Sequence, residues 1–251
     1  MPSMDLTGRC AVVTGASAGI GAAVATGLAA AGARVALLAR RGEQLAELAA
    51  QIDEAGGTAL AVVADVADLA SLGQAVELVG RELGPVDLLV NNAGVVSLSA
   101  FERGDTEAWD RAVQVNLNGV IRTSHAFLPD LLAAADADRP ADLVNVSSLG
   151  ARIALPGLAV YNATKAAVSH FTDTLRAELG PRGLRVSSVE PGAVADTEIG
   201  QHVRDPVLGE RIRQAVAANA LAPADVADLV TYLTSRPARV NLANVLVLPT
   251  G

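Results

Sequence analysis

Tyr161 and Lys165, four residues apart, are the side chains in this sequence best suited to chemistry. That spacing puts both on one face of a helix. A phenol ordinarily ionises near pH 10, and a neighbouring ammonium favours its anion and lowers that value. The pair therefore suits a general acid/base that moves a proton onto or off an oxygen. Ser148 stands thirteen residues upstream, in the pair Ser147-Ser148. Taken alone, a Tyr–Lys pair on a helix is equally ordinary surface decoration, so its context must decide.

That context is an alternation of strand and helix patterns from end to end. Apolar runs predict strands near residues 11–14, 35–39, 59–64, 86–90, 143–147, 184–189 and 245–248. Helical spacing predicts helices through residue 31 and over 41–55, 69–83, 106–134, 161–179 and 225–235, the fourth kinked or ended near Pro129. Leu45, Leu48 and Ile52 show the helical period, and Gly32, Gly56-Gly57, Gly84-Pro85 and Gly180-Pro181 supply the stops. Repeated strand–helix–strand units imply an α/β doubly wound parallel sheet of about seven strands with helices on both faces. In such a sheet, ligands sit at the carboxyl ends of the strands. The segments that follow strands are Thr14–Gly21, Asp65, Asn91–Gly94, Ser147-Ser148 and Pro191-Gly192, so they should gather on one edge.

Thr14–Gly21 reads T-G-x-x-x-G-x-G between a strand and a helix. Glycines there permit close approach of a ligand, and the free N–H groups of the helix start favour a phosphate. The spacing differs from G-x-G-x-x-G and lacks the Gly-Lys-Ser/Thr ending of a nucleotide-triphosphate loop. A site built for NAD ends the second strand in an acid that bonds the adenosine ribose. Here that strand ends Leu38-Ala39-Arg40-Arg41, and two guanidiniums suit the extra phosphate of NADP. Two solvated arginines capping a strand is the plainer reading. Asp65 is placed either to bond the adenine amino group or to cap the next helix.

The chain has 251 residues and a net charge of −8. The length suits one domain, 1–251, with an irregular segment at about 193–222 read as a substrate lid. The acidic balance gives no global attraction for nucleic acid or an anionic membrane. Cys10 is the single cysteine, which excludes an internal disulfide and a cysteine metal cluster and fits a reducing, cytoplasmic setting. Residues 10–33 carry no charge, but five glycines interrupt them. A buried strand, a turn and a helix explain that stretch better than a membrane span or signal peptide.

Taken together, these residues resemble the short-chain dehydrogenase/reductase family in its short, single-domain, Rossmann-like branch. The resemblance is carried by Thr14–Gly21, Asn91-Asn92-Ala93-Gly94, Asn116, Ser148, Tyr161/Lys165 and Pro191-Gly192, in the family's order across essentially the whole chain. It implies a catalytic set of Asn116, Ser148, Tyr161 and Lys165. Tyr161 would exchange the substrate proton, Ser148 would polarise the substrate oxygen, and Lys165 would lower the tyrosine pKa and bind the nicotinamide ribose. Asn116 would hold a water that relays protons to Lys165. The cofactor set implied is Gly15, Ser17, Ala18, Gly19, Ile20, Gly21, Arg40, Arg41, Asp65, Val66, Asn92, Ala93, Gly94, Tyr161, Lys165, Pro191, Gly192, Val194 and Thr197. Ala18 stands where NADP-preferring relatives often carry a base, so NADP(H) preference rests mainly on Arg40. The Ala-Arg-Arg and Glu-Pro-Gly stretches are more loosely similar to clavulanate-dehydrogenase-like members.

The resemblance implies interconversion of a ketone or aldehyde with an alcohol, without a metal. The alternatives are an NAD-dependent secondary-alcohol dehydrogenase and a non-enzymatic NADP(H) sensor. Epimerases and dehydratases of the longer branch fit the glycine spacing less well. Leu98, Ile153, Leu155, Val194 and Ile199 predict a mainly apolar substrate pocket. His202, Arg204 and Arg211 would meet a substrate carboxylate or face solvent. Relatives pair through the helices near 106–134 and 159–180, which implies a homodimer or homotetramer. Glu190 is expected to pair with a base.

Overall fold

All seven predicted strands are present in a computed structural model that describes residues 4–96, 98–196, 209–210, 214, 217 and 219–250. The strands are β1 (Cys10–Thr14), β2 (Arg34–Ala39), β3 (Thr58–Val63), β4 (Leu88–Asn91), β5 (Asp142–Val146), β6 (Arg185–Pro191) and β7 (Asn244–Val247). They form one sheet in the order β3-β2-β1-β4-β5-β6-β7, and every neighbouring pair is parallel. The order reverses between β1 and β4, and the crevice outside their carboxyl ends is where such a sheet takes a ligand.

Alternation along the strands divides the core into two layers. Ala11, Val13, Val35, Leu37, Leu88 and Val90 face one way, onto α1 (Gly19–Ala30), α2 (Gly42–Glu54) and α7 (Pro223–Thr234). Cys10, Val12, Ala36, Leu38, Leu89 and Leu143 face the other, onto α3 (Leu69–Glu82), α5 (Val120–Asp136) and the C-terminal half of α6 (Ala159–Leu179). Strands buried on both faces explain the near-continuous apolar runs of the sequence. The uncharged stretch 10–33 is accordingly β1, the glycine turn and α1. Among the described residues no helix is long and apolar enough to cross a membrane. Burial pushes the Cys10 thiol up to about 11.

Two expectations are corrected. The long fourth helix does not end near Pro129, which lies inside α5. Its neighbours Phe127, Leu131, Ala134 and Ala135 are buried, and their packing offsets the lost backbone bond, worth about 3 kcal/mol. The break falls earlier, where α4 (Thr106–Val113) passes through a wide π turn, Gln114–Gly119, that centres on Asn116. Such turns mark functional positions more often than regular helix does. Secondly, Asp65 is not the cap of α3. That role belongs to Asp68, whose carboxylate accepts from Ala70 N at 3.0 Å.

Ala163 and Ala166, on the helix expected to pair between copies, are exposed. Most of 193–222, the segment read as a lid, lies outside the described residues, including Thr197, Ile199, His202, Arg204 and Arg211.

Candidate functional site

The carboxyl ends of β1, β2, β3, β4 and β5 open into a cleft of about 570 Å³. One end is the glycine turn. Gly15 has φ +67, and a Cβ there would stand 2.8 Å from the Ala93 Cα. A Cβ on Gly21 would stand 2.3 Å from the Gly15 carbonyl oxygen. These two glycines therefore let the turn fold against α1 and the β4 loop. Asn92 holds the turn from the other side, its Nδ2 donating to the Thr14 carbonyl at 3.1 Å. Thr14 Oγ1 accepts from the backbone of Asn92 and Ala93, both at 3.0 Å. Helix α1 starts at Ala18 with no side-chain cap. Its first amides, on Gly19, Ile20 and Gly21, have no intrahelical acceptor, and Gly19 and Ile20 line the cleft. The donors and the dipole suit a phosphate.

Arg40 and Arg41 are exposed on the rim beside this turn. Arg41 donates to Ser17 Oγ from Nε at 3.1 Å and Nη2 at 2.8 Å. The arginine tied across to the turn is thus Arg41, whereas the sequence argument weighted Arg40. Asp65 and Val66 line the middle of the cleft. Asp65 Oδ1 accepts from Ala67 N at 2.9 Å, and its Oδ2 lies 3.7 Å from Arg111. Donors at one end, guanidiniums on the rim and a carboxylate along the wall fit a nicotinamide dinucleotide.

The other end holds the acid/base pair. Tyr161 and Lys165 lie on the first turns of α6 and are buried. Lys165 Nζ stands 5.8 Å from the centre of the Tyr161 ring and donates to the Val146 carbonyl at 2.8 Å. Ser148 is near enough to the Tyr161 phenol to act on its ionisation. Ser148 follows β5 and caps a short turn, its Oγ accepting from Gly150 N at 3.1 Å.

Electrostatics here depart from expectation. Burial raises the Tyr161 pKa, and Ser148 pulls it back. Burial lowers Lys165 from its ordinary 10.5 to about 8. In this structure desolvation outweighs the predicted pull of the ammonium on the phenol, because both groups are shut away from water. A dependence of stability on pH follows. Between about pH 8 and 9 the unfolded Lys165 holds a proton that the folded one has released, so stability rises with pH; from pH 9 the buried Cys10 thiol, which ionises later in the folded protein, offsets that rise. Above about pH 10 the unfolded tyrosine ionises before the folded one, and stability falls. Urea midpoints measured across this range without added cofactor should show the rise, and Lys165→Met should abolish it. A flat wild-type profile would count against a depressed lysine.

Lys165 is the single lysine of the chain; the other eighteen cations are arginine. Arginine stays charged in proteins, whereas lysine shifts readily when buried, so the composition itself pointed to Lys165.

Asn116 lies beneath the pair and is fully buried. Its side chain clamps Val95, accepting from the backbone N at 2.7 Å and donating to the carbonyl at 2.8 Å, and it also donates to Thr164 Oγ1 at 3.2 Å. Gly94 sits between, where an added Cβ would lie 3.5 Å from Asn116 Oδ1 and 3.6 Å from Lys165 Nζ. Asn91 does not reach the cleft; it donates to Ser124 Oγ and Asn145 Oδ1, each at 2.9 Å, within the sheet.

Pro191, Gly192 and Val194 are not on the cleft wall. Pro191 pairs with Val247, Gly192 N donates to the Val247 carbonyl, and Val194 is buried in a bridge to Leu221. Of the pocket residues expected, Ile153 and Leu155 are exposed, whereas Leu98 and Val194 are buried in the packing. Glu190 does pair with a base, Arg152. Among the described residues, no group of three or more His, Cys, Asp or Glu side chains is gathered.

Comparisons with known proteins agree with this geometry. The family model described as short chain dehydrogenase matches residues 9–207. The chain is 36% identical over 249 residues to glycine betaine reductase ATRR of Emericella nidulans, covering 99% of this chain but 19% of that protein. It is 34% identical to D-threitol dehydrogenase of Mycolicibacterium smegmatis, covering 96% of this chain and 92% of that one. Its fold matches an alcohol dehydrogenase of the archaeon Thermococcus sibiricus, complexed with 5-hydroxy-NADP, at a TM-score of 0.83 and 29% identity over 96% of both chains.

Proposed function

The chain belongs to the short-chain dehydrogenase/reductase family, and from that premise we propose that it reduces a ketone or aldehyde with NADPH, Tyr161 supplying the proton. At the coarser level it is an oxidoreductase of alcohols and carbonyl compounds that uses a nicotinamide cofactor. The observation that supports the finer reading is that Tyr161 and Lys165 stand at the far end of a cleft whose near end is a glycine turn flanked by Arg40 and Arg41, with Ser148 directly after the lining residue Ser147.

The bound dinucleotide supplies the hydride. The amides at the start of α1 would hold its phosphates, and Arg40 and Arg41 would hold the adenosine phosphate. Ser148 donates a hydrogen bond to the carbonyl oxygen, and Tyr161 delivers the proton to that oxygen as negative charge develops. Lys165, held on the Val146 carbonyl, provides a positive charge near the phenol whenever it is protonated, and that charge favours the phenolate left behind. Asn116 secures the strand-end backbone at Val95 against α6 through Thr164.

Fluorescence titration with NADPH and NADH tests the cofactor. NADPH should bind at least about tenfold tighter. Arg40→Ala and Arg41→Ala should each weaken NADPH by roughly tenfold, the scale of a charged hydrogen bond, and leave NADH within about twofold. Equal or tighter NADH binding would instead support an NAD-dependent alcohol dehydrogenase, with both arginines as solvated caps.

A further inference from the structure

We propose that Arg152 and Glu190 form an ionic strut that fixes Ser148 in register with Tyr161. The inference rests on the reading of Ser148 and Tyr161 given above. Neither strut residue lines the cleft, so both would be positioning residues.

Glu190 lies on β6, one residue before Pro191, and is 1% exposed. A buried carboxylate needs a counter-charge and donors. It has both: Arg152 Nε pairs with its Oε2, and Oε1 accepts from Ser169 Oγ at 3.0 Å and Ser188 Oγ at 3.4 Å. Each partner leads to a different part of the site.

Arg152 closes the turn that Ser148 opens. Ala151 N donates to the Ser148 carbonyl at 3.0 Å, and Arg152 N donates to the Leu149 carbonyl at 2.9 Å. The turn is seated against α6 at Gly150, where a Cβ would meet Asn162 Oδ1 at 2.4 Å. Ser169 lies eight residues beyond Tyr161 and four beyond Lys165, on the same face of α6. Its Oγ also stands 2.9 Å from Ser147 Oγ, whose one proton can go either to it or to the Lys165 carbonyl, also at 2.9 Å.

One carboxylate therefore joins three chain segments: the Ser148 turn, the helix of Tyr161 and Lys165, and the end of β6. Backbone bonds within the Ser148 turn hold its shape, but they do not set its height above the sheet. Ser147 N, bonded to the Val189 carbonyl at 2.7 Å, seats the start of the turn on β6, and the bond from Arg152 to Glu190 seats its end. Arg152 is half exposed and Glu190 is not, so the buried member is the anchor and the arginine draws the turn down onto it.

The test replaces both charges together, so that neither is left buried alone. Arg152→Met with Glu190→Gln keeps size and an acceptor for Ser169. It is compared with wild type, with Ser148→Ala and with the triple variant. Turnover is read with NADPH and phenanthrenequinone, NADPH affinity by fluorescence, and amide exchange over residues 150–153. In the paired variant, exchange in the turn should speed by at least about tenfold. Its kcat should fall roughly 10- to 100-fold, while the NADPH Kd stays within about threefold. Added to Ser148→Ala, the pair should slow turnover by less than about threefold more, because both changes act through the same hydroxyl.

Wild-type turnover or unchanged exchange in the paired variant overturns the strut. So does a loss of NADPH affinity equal to the loss of kcat, or an effect that multiplies that of Ser148→Ala, since either marks a merely structural pair. Full activity of Ser148→Ala or Tyr161→Phe would instead overturn the reading of the site, and the strut with it.

Discussion

Tyr161→Phe should lower kcat by roughly a hundred- to ten-thousand-fold while leaving the NADPH Kd within about twofold. The size is that of one positioned proton donor. The substitution removes a single oxygen and keeps the ring, so the packing of α6 against the site is preserved. Binding survives because the phosphate end of the cleft is built from the glycine turn, α1 and the two arginines. Steady-state kinetics beside a fluorescence titration separates the two effects. Full turnover by the variant would remove Tyr161 from the chemistry. Loss of turnover and of cofactor affinity together would make it a binding residue.

Asp142→Ala should be the most damaging single change to stability, and at the opposite edge of the sheet. Arg9, Asp87, Asp142 and Arg185 stand at the amino ends of β1, β4, β5 and β6, which are neighbours in the sheet. All four are buried. Asp142 Oδ2 takes both guanidiniums, Arg9 Nη2 at 2.8 Å and Arg185 Nη2 at 2.7 Å, while Arg9 Nε reaches Asp87 at 2.6 Å. Burial pushes the Asp87 carboxyl up, and Arg9 opposes that shift.

Removing Asp142 leaves Arg9 with Asp87 and takes from the buried Arg185 the carboxylate it pairs with. Breaking a buried pair in this way costs about 3–5 kcal/mol, out of a typical total of about 5–15 kcal/mol. For a chain of this size the melting temperature should fall by roughly 6–20 °C. At low temperature the NADPH Kd should be unchanged, since the cluster is at the other end of the strands. A change in melting temperature under about 2 °C would mean that backbone carbonyls, such as those of Thr234 and Arg236, already satisfy Arg185 alone.

The layout of this protein was legible in its sequence because period and punctuation are local properties. Apolar runs of four to seven residues separated by helical spacing define a parallel sheet whatever the rest of the chain does, and the strands lie within two residues of where that pattern puts them. Tyr161 and Lys165 were legible for the same reason, since a spacing of four fixes a shared helix face. The lone lysine was there to be read as well. What the sequence left open were pairings between distant segments. Glu190 and Arg152 are 38 residues apart, and Asp142 and Arg9 are 133 apart. No local rule relates them, and only the strand order brings them together. Asp68 caps α3 because it directly precedes the helix's first residue, Leu69, and whether Pro129 ends α5 turned on burial of its neighbours. The protonation of Tyr161 and Lys165 was decided by the fold too, because desolvation depends on what surrounds a group from every direction, and a sequence states only what lies along the chain.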